Sequence, residues 1–371
     1  MDIEENLSTN KFHSSILKHG GNVFQEAYRL GIKANDFLDA SASLVPFPPP
    51  RELQQHLINA LQDSTLKSYP DRTHLDLKQA IATWHHVDPD MVFPGNGAAE
   101  VNTWSARDAS FLGVSGLPSP GFSDYERALR CWEGSFIHIP LQLIWNSNFP
   151  QAFSLTSNVK VIWVTNPHNP TGQLWSRHSL EPLLDKYSLV ICDEAFLPLV
   201  PNGEQESLIP LIEKHRNLIV IRSLTKLFAI PGLRIGYAIS QAERLQKWYE
   251  WRDPWPLNGL AITAGTMLLN NQKLMGSQIS KVQNWIKQEG PWLHSKLNSL
   301  PKIIAYPSST NFQLIQSNEP LLELREKLAQ QKILVRDCRS FFNLGANWLR
   351  ISLQTRSNNK RIFLSIQKIL K

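Results

Sequence analysis

Four short segments carry residues whose type and order could do chemistry. Asn166-Pro-His-Asn-Pro-Thr-Gly172, Asp193-Glu-Ala-Phe196 and Ser223-Leu-Thr-Lys226 each follow a short apolar run. Gly95-Asn-Gly-Ala-Ala-Glu100 follows another, Met91–Phe93, and opens a helical stretch. Taken singly, each has an ordinary reading. Asn, Pro and Gly make turns, a carboxylate after a strand caps a helix, and a loop lysine is a solvated charge. Taken in order, they supply a carboxylate, an amine and a glycine-bounded helix start, all beyond the carboxyl ends of successive strands. Ligands of open α/β sheets bind at that edge.

That set matches what pyridoxal 5′-phosphate (PLP) requires. Its pyridine nitrogen needs a buried carboxylate to stay protonated, so that the ring can act as an electron sink; Asp193 would supply it. Its aldehyde needs a lysine amine, nucleophilic once burial and nearby cations remove the proton; Lys226 would form that Schiff base. Its phosphate suits backbone N–H groups at a helix start together with hydroxyl and guanidinium donors. Gly97, Ala98, Ser223 and Arg234 offer these. Asn169 fits as a donor to the ring's 3′ oxygen, and Phe122, in Pro120-Gly-Phe122, as an aromatic platform for one ring face.

The elements that must position these residues are legible as alternating apolar runs and amphipathic stretches, the pattern of a mostly parallel sheet wrapped by helices. Val159–Thr165, Leu189–Cys192, Asn217–Arg222 and Arg234–Ile239 are short and rich in β-branched residues, and read as buried strands. Gln272–Leu297 has helical periodicity and predicts a long helix leaving this domain. Beyond it, Lys302–Tyr306, Phe312–Gln316, Ile333–Arg336 and Trp348–Leu353 read as strands, with helices at about Pro320–Gln331 and Asn358–Leu370. The expected division is an N-terminal segment, residues 1–50, packing with a small α+β domain at 271–371, and a large α/β domain at 51–270.

Bulk properties agree with an enzyme of this kind. The 371 residues are 42% hydrophobic and 19% charged, ordinary for a folded protein. No apolar stretch approaches the roughly 18 residues that a membrane span needs, and the polar N-terminus lacks a secretory layout. A cytoplasmic location is expected. Cys131, Cys192 and Cys338 are scattered and odd in number, so neither disulfides nor a metal site is expected. The net charge of +6 is spread along the chain rather than gathered in runs. It points to an anionic small molecule rather than to nucleic acid.

Ser223-Leu-Thr-Lys226 followed by Gly232-Leu-Arg234-Ile-Gly236 resembles the Schiff-base signature of fold-type I (aspartate aminotransferase-like) class I/II aminotransferases. The resemblance runs from His19 to the C-terminal helix. Within that superfamily the chain looks most like the threonine-phosphate decarboxylases of cobalamin biosynthesis, with histidinol-phosphate aminotransferases next. His19-Gly-Gly-Asn22 is similar to a decarboxylase segment that helps bind substrate phosphate. Phe196 stands where the rival aminotransferases usually carry a tyrosine. Arg350, in Trp348-Leu-Arg-Ile-Ser352, matches the superfamily's carboxylate-binding arginine, and Arg336 the decarboxylase family's phosphate-binding one. Ser43 replaces an asparagine that contacts substrate in the family, which bears on substrate identity and not on the cofactor.

The resemblance implies decarboxylation of L-threonine O-3-phosphate, with transamination using 2-oxoglutarate as the alternative. Losing Cα–H from that substrate would risk eliminating its phosphate, so a clamp by Arg336 and His19 is expected. Lys226, once freed, would be the acid that returns a proton to Cα. Tyr69, in Tyr69-Pro70-Asp71, resembles the tyrosine that reaches a neighbouring subunit's cofactor phosphate, implying a homodimer with shared sites.

Overall fold

The structure is a computed structural model and describes residues 21–143 and 145–371. Its strands, in chain order, are β1 (Leu38–Ala40), β2 (Val92–Asn96), β3 (Ser115–Ser119), β4 (Phe136–Pro140), β5 (Val161–Thr165) and β6 (Leu189–Asp193). They continue as β7 (Leu218–Ser223), β8 (Ile235–Ile239), β9 (Ile304–Ala305), β10 (Phe312–Gln316), β11 (Ile333–Asp337) and β12 (Trp348–Ser352).

Seven of them form one sheet in the order β2-β8-β7-β6-β5-β3-β4. Strands β5 to β8 are buried at every position, as their near-continuous apolar sequences require for a sheet covered on both faces. From β4 through β3, β5 and β6 to β7 the pairing is parallel, whereas β8 runs antiparallel to both β7 and β2. That single reversal positions the site. Because β8 runs the other way, its first residues lie beside the last residues of its neighbours: Ser223 pairs with Gly236, and Asn96 with Ile235. Arg234, which immediately precedes β8, therefore shares an edge with Asp193 and Ser223, which end their strands.

Two strands of this sheet were not expected. In β3 the sequence Ser-Gly-Leu-Pro-Ser carries residues that disfavour strands, and Phe136–Pro140 ends in proline. In β3, burial at every position and pairing on both sides override propensity; β4 is a mostly unburied edge strand held by its pairing with β3, a place where proline is tolerated. The expected runs otherwise recur with ends shifted by one or two residues, while Lys302–Tyr306 shrinks to the two residues of β9.

The second sheet has the order β1-β11-β12-β10-β9. Strand β1 pairs parallel to β11, with Leu38 opposite Ile333 and Ala40 opposite Val335, so the N-terminal segment joins the C-terminal strands. The helix Gln272–Asn298 spans 27 residues and buries Val282, Ile286, Leu293 and Leu297. Their helical spacing makes one apolar stripe. No helix among the described residues is long and apolar enough to cross a membrane.

Candidate active site

A cleft of about 530 Å3 opens where the edge of the large sheet faces the small one. Lys226, Asp193, Asn169, Ser223, Arg234, Ala98 and Phe122 line it from the large sheet, and Ser43, Arg336 and Arg350 from the side of the small one. Gly97 is not among the lining residues, but it directly precedes Ala98 and abuts the guanidinium of Arg234. Tyr69 does not line the cleft of its own chain; it is 78% exposed, with its ring 4.4 Å from that of Trp255. His19 lies outside the described residues.

Asp193 ends β6 and is buried. Its Oδ1 accepts the backbone N–H of Ala195 at 2.9 Å and its Oδ2 accepts the hydroxyl of Tyr125 at 2.8 Å. Burial pushes this carboxyl up; those two hydrogen bonds and the cation of Lys226 oppose the rise. Lys226 follows β7 by three residues, and its amine stands 5.6 Å over the ring of Phe196. Burial, then Arg350 and Arg234, bring that amine down from 10.5 to about 8. An amine so placed loses its proton around pH 8 rather than 10.5, a change that favours attack on a carbonyl.

The helix Ala98–Leu112 begins directly after Gly97, whose backbone has φ 77° and ψ 163°, a conformation essentially confined to glycine. A Cβ at position 97 would sit 2.2 Å from Nη2 of Arg234. Gly236 allows a second close approach, since a Cβ there would sit 2.6 Å from the Ala98 nitrogen. The two glycines let the helix start, the β8 strand and a guanidinium crowd together, setting the positive end of the helix beside that guanidinium. The hydroxyls of Ser223 and Thr225, 2.8 Å apart, line the same cleft.

The second sheet contributes a charge arrangement that register alone creates. Arg336 on β11 and Arg350 on β12 are directly opposed cross-strand partners, both buried. Like charges in that relation destabilise a sheet. Arg350 donates to Asn169 Oδ1 and, at 3.2 Å, to the Ser41 carbonyl, both neutral acceptors; its buried Nε has no partner. Burial and the facing Arg336 both pull Arg350 downward, and burial does the same to Arg336, whose Nη2 donates to Ser340. The Ser43 hydroxyl lies 3.2 Å from that of Ser352, so it is shared with β12.

The profile of the aminotransferase class I and II family matches residues 30–366. The chain belongs to this family. Its fold is accordingly fold-type I, the aspartate aminotransferase-like arrangement, and its cofactor is PLP. Among relatives of this aminotransferase-family chain, the threonine-phosphate decarboxylase of Salmonella typhimurium is 29% identical over 366 residues, 95% of this chain and 96% of that protein. Histidinol-phosphate aminotransferase 2 of Haemophilus influenzae is 29% identical over 334 residues, 88% of each. The solved structure of L-threonine-O-3-phosphate decarboxylase from Porphyromonas gingivalis superposes with a TM-score of 0.77 at 25% identity, covering 89% of this chain and 98% of that one.

The residues present fit the cofactor. A buried carboxylate, an amine of depressed basicity and a side-chain-free cradle beside a guanidinium stand in one cleft. Tyr125 and Thr165 were not read as site residues, although Tyr125 stands one helical turn past Phe122, a spacing that could have found it.

Proposed function

We propose that this family member is a decarboxylase of L-threonine O-3-phosphate, forming (R)-1-amino-2-propanol O-2-phosphate for cobalamin biosynthesis. One observation carries the reading: two buried arginines stand opposite each other across β11 and β12 and both line the cleft, an arrangement suited to a substrate with two anionic groups. The names and full-length coverage of the decarboxylase relatives support it. So does Phe196, which packs edge-on against Phe312 and brings no hydroxyl to the cleft.

In this reading Lys226 joins the cofactor, Asp193 holds its ring nitrogen and Asn169 donates to its 3′ oxygen. Phe122 covers a ring face, while Gly97, Ala98, Ser223 and Arg234 hold its phosphate. Bound there, PLP supplies the electron sink for the bond broken at the substrate's Cα. Arg350, oriented by Asn169 and the Ser41 carbonyl, takes the substrate carboxylate with its planar fork. Arg336, helped by His19, clamps the substrate phosphate against elimination, and Ser43 borders the substrate. Lys226, with an amine near 8, returns a proton to Cα. The working unit in this reading is a cytoplasmic homodimer in which Tyr69 reaches the partner's cofactor phosphate.

A second reading, transamination of histidinol phosphate with 2-oxoglutarate, is favoured by relatives of equal identity. Incubation with L-threonine O-3-phosphate, with and without 2-oxoglutarate, separates the two. Release of CO2 independent of the keto acid is the expected result. Absence of CO2, with glutamate formed from histidinol phosphate and 2-oxoglutarate, would replace the decarboxylase by an aminotransferase.

A further inference from the structure

Tyr125 stands in the first turn of the helix Asp124–Arg130 and is buried. Its hydroxyl lies 2.8 Å from Asp193 Oδ2 and 2.8 Å from Thr165 Oγ1. A phenol has one proton and an ionised carboxylate only accepts, so that proton goes to Asp193 and the Thr165 hydroxyl donates to the tyrosine oxygen. The ring has little freedom to turn away. It is packed 4.8 Å from Trp163 and meets Phe122 edge-on at 5.5 Å.

We propose that Tyr125, with Thr165 behind it, is a positioning residue that aims Asp193 at the cofactor's ring nitrogen and holds the carboxylate ionised. This rests on the assignment of Asp193 to that nitrogen. Three physical points support it. The carboxylate is fixed from both sides, by Ala195 N–H on Oδ1 and Tyr125 O–H on Oδ2, so its plane cannot rotate freely. Burial works against its charge, and the tyrosine hydrogen bond works for it. Tyr125 itself is held well above its ordinary value by burial and then by Asp193, so it remains a donor throughout the working pH range.

The test is Tyr125→Phe, which keeps the packed ring and removes only the hydroxyl. A hydrogen bond to a buried charged group corresponds to about a tenfold or larger change in an equilibrium constant. The expected result is a rise of about tenfold in the Kd for PLP, measured by titrating cofactor-free protein. The pH midpoint of the bound cofactor's visible absorbance should also move upward. A more basic Asp193 draws the ring proton toward itself and leaves the ring less electron-poor.

In an Asp193→Asn background the same substitution should add almost nothing, because no charge is left to hold. An unchanged Kd and midpoint, or an equal loss in both backgrounds, would overturn the proposal; the second outcome would mark Tyr125 as packing alone. If Tyr125→Phe does not fold, Thr165→Val serves instead: a smaller shift in the same direction supports the relay, and no shift overturns it. Failure of the unaltered protein to take up PLP would sink the cofactor assignment itself, and so is distinguishable from failure of this one.

Discussion

Lys226 shows how the surroundings of one side chain change its acidity. Its amine is lowered first by burial, then by Arg350 and Arg234, with Asp193 pulling the other way. A lysine with a depressed value is protonated below that value and neutral above it. Stability should therefore rise with pH between about 8 and 10.5, where the unfolded chain binds the extra proton. Capture of PLP by cofactor-free protein should accelerate with pH and level off above about 8. The growth of visible absorbance after mixing, followed across a pH series, measures this. Arg350→Gln removes one of the depressing cations and should move the midpoint higher, whereas a midpoint near 10.5 in the unaltered protein would contradict the account.

At the scale of elements, the antiparallel β8 does what no single residue could. It brings its start, directly after Arg234, to the edge where its neighbours end, and it crosses so close to the helix Ala98–Leu112 that glycine is required at 97 and 236. Gly97→Ala would add a backbone cost of about 1–3 kcal/mol and drive Arg234 from the cradle. The expected signature is selective: affinity for PLP falls about tenfold or more, while affinity for pyridoxal, which lacks the phosphate, barely changes. Equal losses for both ligands would show that the helix start does not hold the phosphate.

Across the whole molecule, the cleft exists because two sheets meet. Arg350 of the small sheet donates to Asn169 beyond β5. The Ser309 hydroxyl donates to the Gly172 carbonyl at 2.8 Å. The ring of Trp145 stacks on Tyr306, and Tyr306 on Trp348. His138 of β4 lies flat against Phe342 at 3.7 Å, joining the two sheets at another point. The proposed homodimer, in which the exposed Tyr69 reaches a partner's site, is tested by its size. Light scattering should give a particle of twice the 42.3 kDa of one chain. Tyr69→Ala should weaken PLP binding although Tyr69 lies outside its own cleft; a monomer with full affinity would refute the shared site.

Much of this architecture was legible in the residues because it is written locally. Short β-branched apolar runs such as Val159–Thr165 and Asn217–Arg222 read as strands buried on both faces, and the structure has them at Val161–Thr165 and Leu218–Ser223; the polar clusters at their ends read as a binding edge. Asp193 and Lys226 could be named as candidates from order and chemistry, and the structure brings both to one cleft. The strand Ser115–Ser119 could not, because its proline and glycine argue locally against a strand and only pairing on both sides rescues it. Nor could the bond from Tyr125 to Asp193, 68 residues apart in sequence. The opposition of Arg336 and Arg350 depends on strand register, which the packing of a whole sheet against its neighbours selects. The residues determined which groups are available and on which elements they stand. The tertiary structure decided which groups touch, because contact between distant segments follows from the summed burial of the chain rather than from any short stretch of it.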